Sequence, residues 1–230
     1  MVIGNGMIAT AFDRYRSKNE FVIFASGVSH SVSATAAAFA REKKLLAATI
    51  KNSAGSNLVY FGTCGVYDPS MRGSAYVQHK LEMEAYIEQH QPSYTIFRLS
   101  NPVGKTPNND TVVNFFINHI LKQEPFMAWK EASRNIIDID DMFTVCREIL
   151  EQGLFLNSVT NIANPQNYTV PYIIETIEMH FGVRGNYTLA DKGDAPRIDI
   201  SAVKPLFDTF NVNFDGSYLQ NILQKYFPTA

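Results

Sequence analysis

Leu58-Val59-Tyr60-Phe61-Gly62-Thr63-Cys64-Gly65-Val66-Tyr67-Asp68 opens on an apolar run without polar alternation and passes into a glycine-bearing turn. A strand of that kind has both faces covered, as strands of parallel sheets under helices do. Its end would lift the Thr63 hydroxyl to the carboxyl edge of the sheet, where ligands of parallel sheets bind. Outward from it, short apolar runs alternate with helical stretches. Met1-Val2-Ile3 precedes a helix from Met7 to about Tyr15. Phe21-Val22-Ile23-Phe24 precedes one from about Ser33 to Lys51. After Thr63 come a helix from about Ser74 to His90 and a strand from Tyr94 to Leu99. Strands separated by helices predict right-handed crossovers and an α/β fold with a mainly parallel sheet.

Past Leu99 the pattern loosens. It predicts a helix from about Thr111 to Lys122, a short strand at Asn135 to Ile139, a helix from about Met142 to Gln152 and a strand at Val159 to Ala163. Helices near Val170 to Phe181, stopped by Gly182, and near Gly216 to Tyr226 follow. With no linker between them, core and lobe are expected to interleave in one globular unit: residues 1–104 plus 135–164 as nucleotide-binding core, 105–134 plus 165–230 as a small substrate-binding lobe.

The 230 residues are 46% apolar and 18% charged, enough for one full core. Twenty Lys and Arg against 22 Asp and Glu leave a net charge of −2 and no run of like charges. That argues against nucleic acid or a membrane surface as partner and favours a small molecule. No apolar run reaches the roughly 18 to 20 residues of a membrane span, and no leader pattern opens the chain, so a cytoplasmic protein is expected. Cys64 and Cys146 lack metal-type spacing, as do His30, His79, His90, His119 and His180, so no metal is expected. Cys64 reads as packing, His79 as facing away from Tyr76, and Asp138, Asp140 and Asp141 as caps of the helix beside them.

Two stretches carry chemistry. Val2-Ile3-Gly4-Asn5-Gly6-Met7-Ile8-Ala9 is strand, Gly-x-Gly-x-x-Ala turn and helix start. Gly4 suits the tight turn, Gly6 lets backbone approach a pyrophosphate, and Ala9 permits close helix packing. An ordinary strand-to-helix turn can share this spacing. The acidic residue that would take the ribose hydroxyl roughly 20 positions on is missing, since Phe24 to Val28 read Phe-Ala-Ser-Gly-Val. Thirteen residues after Thr63, Tyr76-Val77-Gln78-His79-Lys80 places a phenol and an ammonium four apart on one helical face, with Val77, Leu81 and Ala85 as the expected apolar side. A phenol of pKa about 10 becomes a usable base when a cation stabilises its phenolate, and Thr63 could hydrogen-bond the reacting oxygen. Alone, the Tyr-x-x-x-Lys spacing also fits a plain helix surface.

Taken together and in order, these residues resemble the extended branch of the short-chain dehydrogenase/reductase family, the NAD-dependent nucleotide-sugar epimerases and dehydratases. Residues 58–67 are similar to the active-site strand of that branch. Phe97-Arg98-Leu99-Ser100-Asn101-Pro102-Val103-Gly104 is similar to its Arg-x-x-Asn-Val-Tyr-Gly segment, and Arg134-Asn135-Ile136-Ile137-Asp138-Ile139-Asp140-Asp141 to Arg-Asp-Phe-Ile-Tyr-Val-Asp-Asp. The resemblance implies a Rossmann-like, doubly wound sheet. It implies Thr63, Tyr76 and Lys80 as catalytic residues, and NAD or NADP held by Gly4, Asn5, Gly6, Met7, Ile8, Ala25, Tyr76 and Lys80. It also implies a nucleotide-sugar substrate touched by Thr63, Asn101 and Arg134, a homodimer formed through the helices at about 33–51 and 74–90, and a role in cell-surface polysaccharide synthesis.

The chain departs from that pattern after the first helix. Phe21 to Phe24, followed by Ala25-Ser26-Gly27, is similar to a later strand of the family, so one strand-helix-strand segment is expected to be missing, and with it the adenosine side of the cofactor site. The interval from Thr63 to Tyr76 is also short for this branch. Two functions therefore stand: an NAD(P)-dependent epimerase, dehydratase or reductase acting on a nucleotide-linked sugar, or a non-catalytic or cofactor-independent binding protein on the same scaffold.

Overall fold

The structure is a computed structural model and describes residues 1–29, 34–53 and 55–229. The expected helix start at Ser33, and His30, lie outside the described residues. Five parallel strands form the central sheet: β1 (Val2–Ile3), β2 (Phe21–Phe24), β3 (Asn57–Thr63), β4 (Tyr94–Leu99) and β9 (Ser158–Ile162), side by side in that order. Val2 and Ile3 lie against Ile23 and Phe24, and Phe21 to Phe24 against Asn57 to Tyr60. β2 thus sits between β1 and β3, the arrangement that a missing strand-helix-strand segment predicts, and β1 is the edge of the sheet.

The pleat sorts the strand residues onto two covered faces. Ile23, Val59, Phe61, Phe97 and Leu99 pack with Ala9 and Phe12 of the first helical segment and with Met142, Val145 and Ile149 of α5 (Ile139–Glu151). Val22, Phe24, Leu58, Tyr60 and Ile96 pack with Leu46 of α2 (Ala36–Asn52) and with Met83 and Ile87 of α3 (Ala75–His90). Thr35 and Ser74 cap α2 and α3, their side-chain oxygens accepting from Ala38 N and Val77 N. The doubly wound reading follows from this split.

The first helix is shorter than its pattern suggests. α1 spans Met7–Ala11 only, and Asp13–Tyr15 form a 3₁₀ turn. That tighter turn brings Phe12 and Tyr15, both fully buried, onto the sheet, with Phe12 edge-on to Phe61 and Phe143.

A second apolar cluster joins α4 (Val112–Lys122), β6 (Phe126–Trp129), α6 (Val170–Phe181) and α8 (Tyr218–Tyr226). Short strands fasten it: β5 (Asn101–Val103) runs parallel to β8 (Ile136–Asp138), β7 (Ser133–Arg134) antiparallel to β10 (Tyr168–Thr169), and β6 parallel to β11 (Tyr187–Ala190). β6, β11 and α7 (Lys204–Thr209) lie in stretches where the sequence shows no clear period. Although late in the chain, Ile200, Val203 and Phe207 pack on the first cluster. Asp138 caps α5 by accepting from Asp140 N, while Asp140 and Asp141 stand in its first turn. Lys225 and Tyr226 of α8 donate to Asp138, tying the lobe to the core. No described helix is long and apolar enough to cross a membrane.

Candidate active site

Because β1, β2 and β3 are adjacent and parallel, their carboxyl ends bring the Gly4–Gly6 turn, the Ala25–Val28 turn and Thr63 to one edge. Gly4 has φ +125°, and a side chain there would run into the Ala25 carbonyl, so the two turns touch through a position that only glycine fills well. Gly6 is open, with nothing within 4 Å of a Cβ placed on it. Asn5 is exposed, whereas Met7, Ile8 and Ala25 pack their side chains against the first cluster.

Thr63 ends β3 half-buried and its Oγ1 accepts from Gly65 N at 3.0 Å, starting a 3₁₀ turn over Cys64–Tyr67. Accepting leaves the hydroxyl proton free to donate to a reacting oxygen. Cys64 is buried as expected, and burial pushes its thiol up to about 12.

α3 does not present the face that its apolar residues suggest. Leu81 is only half-buried and Ala85 exposed; the inward residues are Val77, His79, Lys80, Met83, Glu84 and Ile87. Two charges are tolerated in that interface because each has a partner. Arg98 of β4 donates to both Glu84 oxygens at 2.6 to 3.1 Å. Lys80, 3% exposed, directs its three N–H groups at Glu42 Oε1 (3.1 Å), Tyr60 Oη (3.1 Å) and the Phe61 carbonyl (3.4 Å). Tyr60 donates to the same Glu42 oxygen at 2.7 Å, and burial beside that carboxylate keeps its phenol neutral, far above its ordinary range.

Tyr76 lies one turn before Lys80, half-buried, and its hydroxyl makes no hydrogen bond among the described residues. It is close enough to Tyr60 to oppose ionisation there. The structure thus puts Tyr76 and Lys80 beside the end of β3, with Tyr76 free and Lys80 engaged. Sequence reasoning missed Glu42 and Tyr60 and set His79 aside, although His79 Nε2 lies 3.1 Å from Glu42. A glutamate inside a helix reads as surface unless its partners, 18 and 38 residues on, are known to face it.

Asn101 begins β5, which pairs with β8, and its Nδ2 donates at 2.7 Å to the carbonyl of Asn135, the residue that follows Arg134 of β7. Arg134 Nη1 donates to its neighbour Ser133 and lies 3.6 Å from Asp68 Oδ2. A shallow cleft of about 390 Å³ opens beside them, lined by Asn135, Asn164, Asn167 and Arg197 among others. Among the described residues no group of His, Cys, Asp and Glu could hold a metal.

The open Gly6 backbone leaves room for a pyrophosphate at this edge, and the turn after β2 holds no carboxylate that could take a ribose hydroxyl.

Solved structures share this fold. UDP-glucose 4-epimerase of Thermus thermophilus, in complex with NAD, superposes with a TM-score of 0.70 at 17% identity, over 97% of this chain and 81% of that one. UDP-N-acetylglucosamine 4-epimerase of Methanobrevibacter ruminantium, in complex with UDP-N-acetylmuramic acid, gives 0.65 at 19%, over 92% and 76%. dTDP-glucose 4,6-dehydratase of Bacillus anthracis, in complex with NAD, gives 0.64 at 16%, over 95% and 76%. No curated protein matches the chain. The sequence model of the NAD dependent epimerase/dehydratase family matches residues 18–163, a span that begins after the glycine turn and contains Thr63, Tyr76, Lys80, Asn101 and Arg134. The chain belongs to the NAD dependent epimerase/dehydratase family.

Proposed function

We propose that the chain is an NAD(P)-dependent epimerase, dehydratase or reductase acting on a nucleotide-linked sugar. The observation that supports this is a Tyr76 phenol without a hydrogen bond among the described residues, one helical turn from the Lys80 ammonium, on the helix that packs against β3, the strand that Thr63 ends at the same sheet edge as the glycine turn. A bound nicotinamide ring supplies reversible acceptance of a hydride from the sugar's carbinol carbon. Tyr76 would take the proton of that carbinol and later return one, Lys80 would favour its phenolate, and Thr63 would donate a hydrogen bond to the same oxygen. Arg134 and Asn101 would hold the diphosphate, a guanidinium suiting two phosphate oxygens at once. The cofactor would lie on Gly4, Asn5 and Gly6 and on the backbone of Met7, Ile8 and Ala25. A homodimer and a role in surface polysaccharide synthesis join the reading on family resemblance alone, and a cytoplasmic location on the sequence pattern described above.

A second reading, a cofactor-independent binding protein, is favoured by the engagement of all three Lys80 N–H groups inside the protein. Incubation with NAD and either UDP-glucose or dTDP-glucose, followed by proton NMR of the sugar, separates the two. A new sugar signal supports the enzyme. Unchanged sugars together with measurable binding of either nucleotide sugar support the binding protein.

A further inference from the structure

Glu42 is fully buried in the second turn of α2, and its two oxygens gather contacts from three other parts of the chain. Oε1 accepts from Tyr60 Oη on β3 and from Lys80 Nζ on α3. Oε2 accepts from the Val28 amide at 2.6 Å and faces His79 Nε2 at 3.1 Å. A carboxylate only accepts, so His79 Nε2 carries its proton. Phe39 stacks on the His79 ring at 4.5 Å and closes the site on the helix side. On the strand side the turn after β2 closes it: a Cβ on Gly27 would stand 2.5 Å from Lys80 Nζ and 3.0 Å from Glu42 Oε1. A lysine this deeply buried without a counter-charge sheds its proton readily.

We propose that Glu42 is the counter-ion that keeps Lys80 an ammonium inside the fold, and so is a positioning residue for the Tyr76 acid–base step. This rests on the reading of Tyr76 and Lys80 given above. Among the described residues the titratable groups around Lys80 are Glu42 from α2, Tyr60 from β3, and Tyr76, His79 and Glu84 from α3; Ala25 to Ser29 after β2 carry no titratable side chain. Glu84 is held by Arg98 and Tyr60 stays a neutral phenol, so Glu42 alone balances the Lys80 charge. The contact to the Phe61 carbonyl is the longest of the three that Lys80 makes, and it is the one a ligand hydroxyl can replace without disturbing the ion pair.

The test is Glu42→Gln, which keeps shape and most hydrogen bonds while removing the charge. Lysine side-chain NMR on isotopically labelled protein, with Lys80 assigned by its loss in Lys80→Arg, follows the Lys80 amine directly. The expected result is that Lys80 titrates at least about one pH unit lower in Glu42→Gln than in the wild type. Above the pH at which Lys80 in Glu42→Gln loses its proton, Tyr76 loses the cation that favours its phenolate, and kcat/KM relative to the wild type should fall about 10-fold or more across that range. Glu42→Asp, which keeps the charge, restores most of both. A folded Glu42→Gln protein whose Lys80 titrates as in the wild type overturns the proposal. If Glu42→Gln does not fold, the double variant Glu42→Gln with Lys80→Met, which removes both charges, is read instead by its urea unfolding: recovery of a folded protein supports the pairing and failure to recover one overturns it. The NMR titration needs no turnover, so an inactive protein with a shifted Lys80 counts against the enzyme reading only, and an active one with an unmoved Lys80 against Glu42 only.

Discussion

Asp68 and Arg134 face each other at 3.6 Å, the aspartate nearly buried and the arginine about a quarter exposed. At that distance they share charge without sharing a hydrogen bond, and the other Asp68 oxygen is engaged by the Ser70 amide and hydroxyl. The guanidinium is steadied at the edge of the lobe with donors to spare. Arg134→Ala should weaken binding of a nucleotide sugar by roughly 10- to 150-fold and leave sugar-free NAD affinity unchanged. Asp68→Asn, which removes a competing anion, should tighten it by about 2- to 5-fold. Calorimetric titration with UDP-glucose reads both; equal losses for UDP-glucose and NAD in Arg134→Ala would assign the arginine to the other ligand.

Tyr76→Phe removes one hydroxyl that bonds to no other described residue. Turnover should fall by at least about 100-fold while the melting temperature stays within about 1 °C. Turnover preserved in the Phe variant would exclude the phenol as acid or base.

Glu84 and Arg98 form a second ion pair between α3 and β4, joined by two-oxygen contacts and by Tyr67 Oη at 3.2 Å from Arg98. Glu84→Ala strands the guanidinium and should cost about 3 to 5 kcal/mol in urea unfolding. The double variant Glu84→Leu with Arg98→Met should recover much of that loss. A double variant less stable than Glu84→Ala would show that the pair does more than satisfy itself.

Acid should loosen the fold through Glu42. Burial alone would raise its carboxyl, but the Lys80 charge and the hydrogen bonds of Tyr60, Val28 and Lys80 outweigh it and hold it below its ordinary 4.5. A carboxyl lowered in the folded state stabilises above its unfolded pKa and loses that contribution as pH falls below it. Wild-type melting temperature should therefore drop below about pH 4.5, more steeply than that of Glu42→Gln. Parallel curves for the two proteins would remove Glu42 from the acid transition.

The sheet was legible because its strands are apolar without alternation: Tyr94 to Leu99 is read from the sequence with its observed bounds, and Ser74, read as the start of its helix, caps α3. The helix face of α3 was not legible. Lys80 and Glu84 lie inward only because Glu42 and Arg98 arrive from other elements, and a period count assigns charges to solvent. α1 stops at Ala11 and the chain tightens into a 3₁₀ turn over Asp13–Tyr15, a boundary that the apolar pattern of Met7 to Tyr15 does not mark. Thr63, Tyr76 and Lys80 could be placed on their elements in advance; that Lys80 is already engaged could not.

Titration calorimetry of the purified chain with NAD⁺ and NADP⁺, repeated on Lys80→Met, tests the central claim most directly. The account predicts saturable binding of at least one dinucleotide at or below about 1 mM, weakened about 10-fold or more in Lys80→Met, as expected for a lost charge-assisted hydrogen bond. No heat from either dinucleotide at millimolar concentration would contradict it.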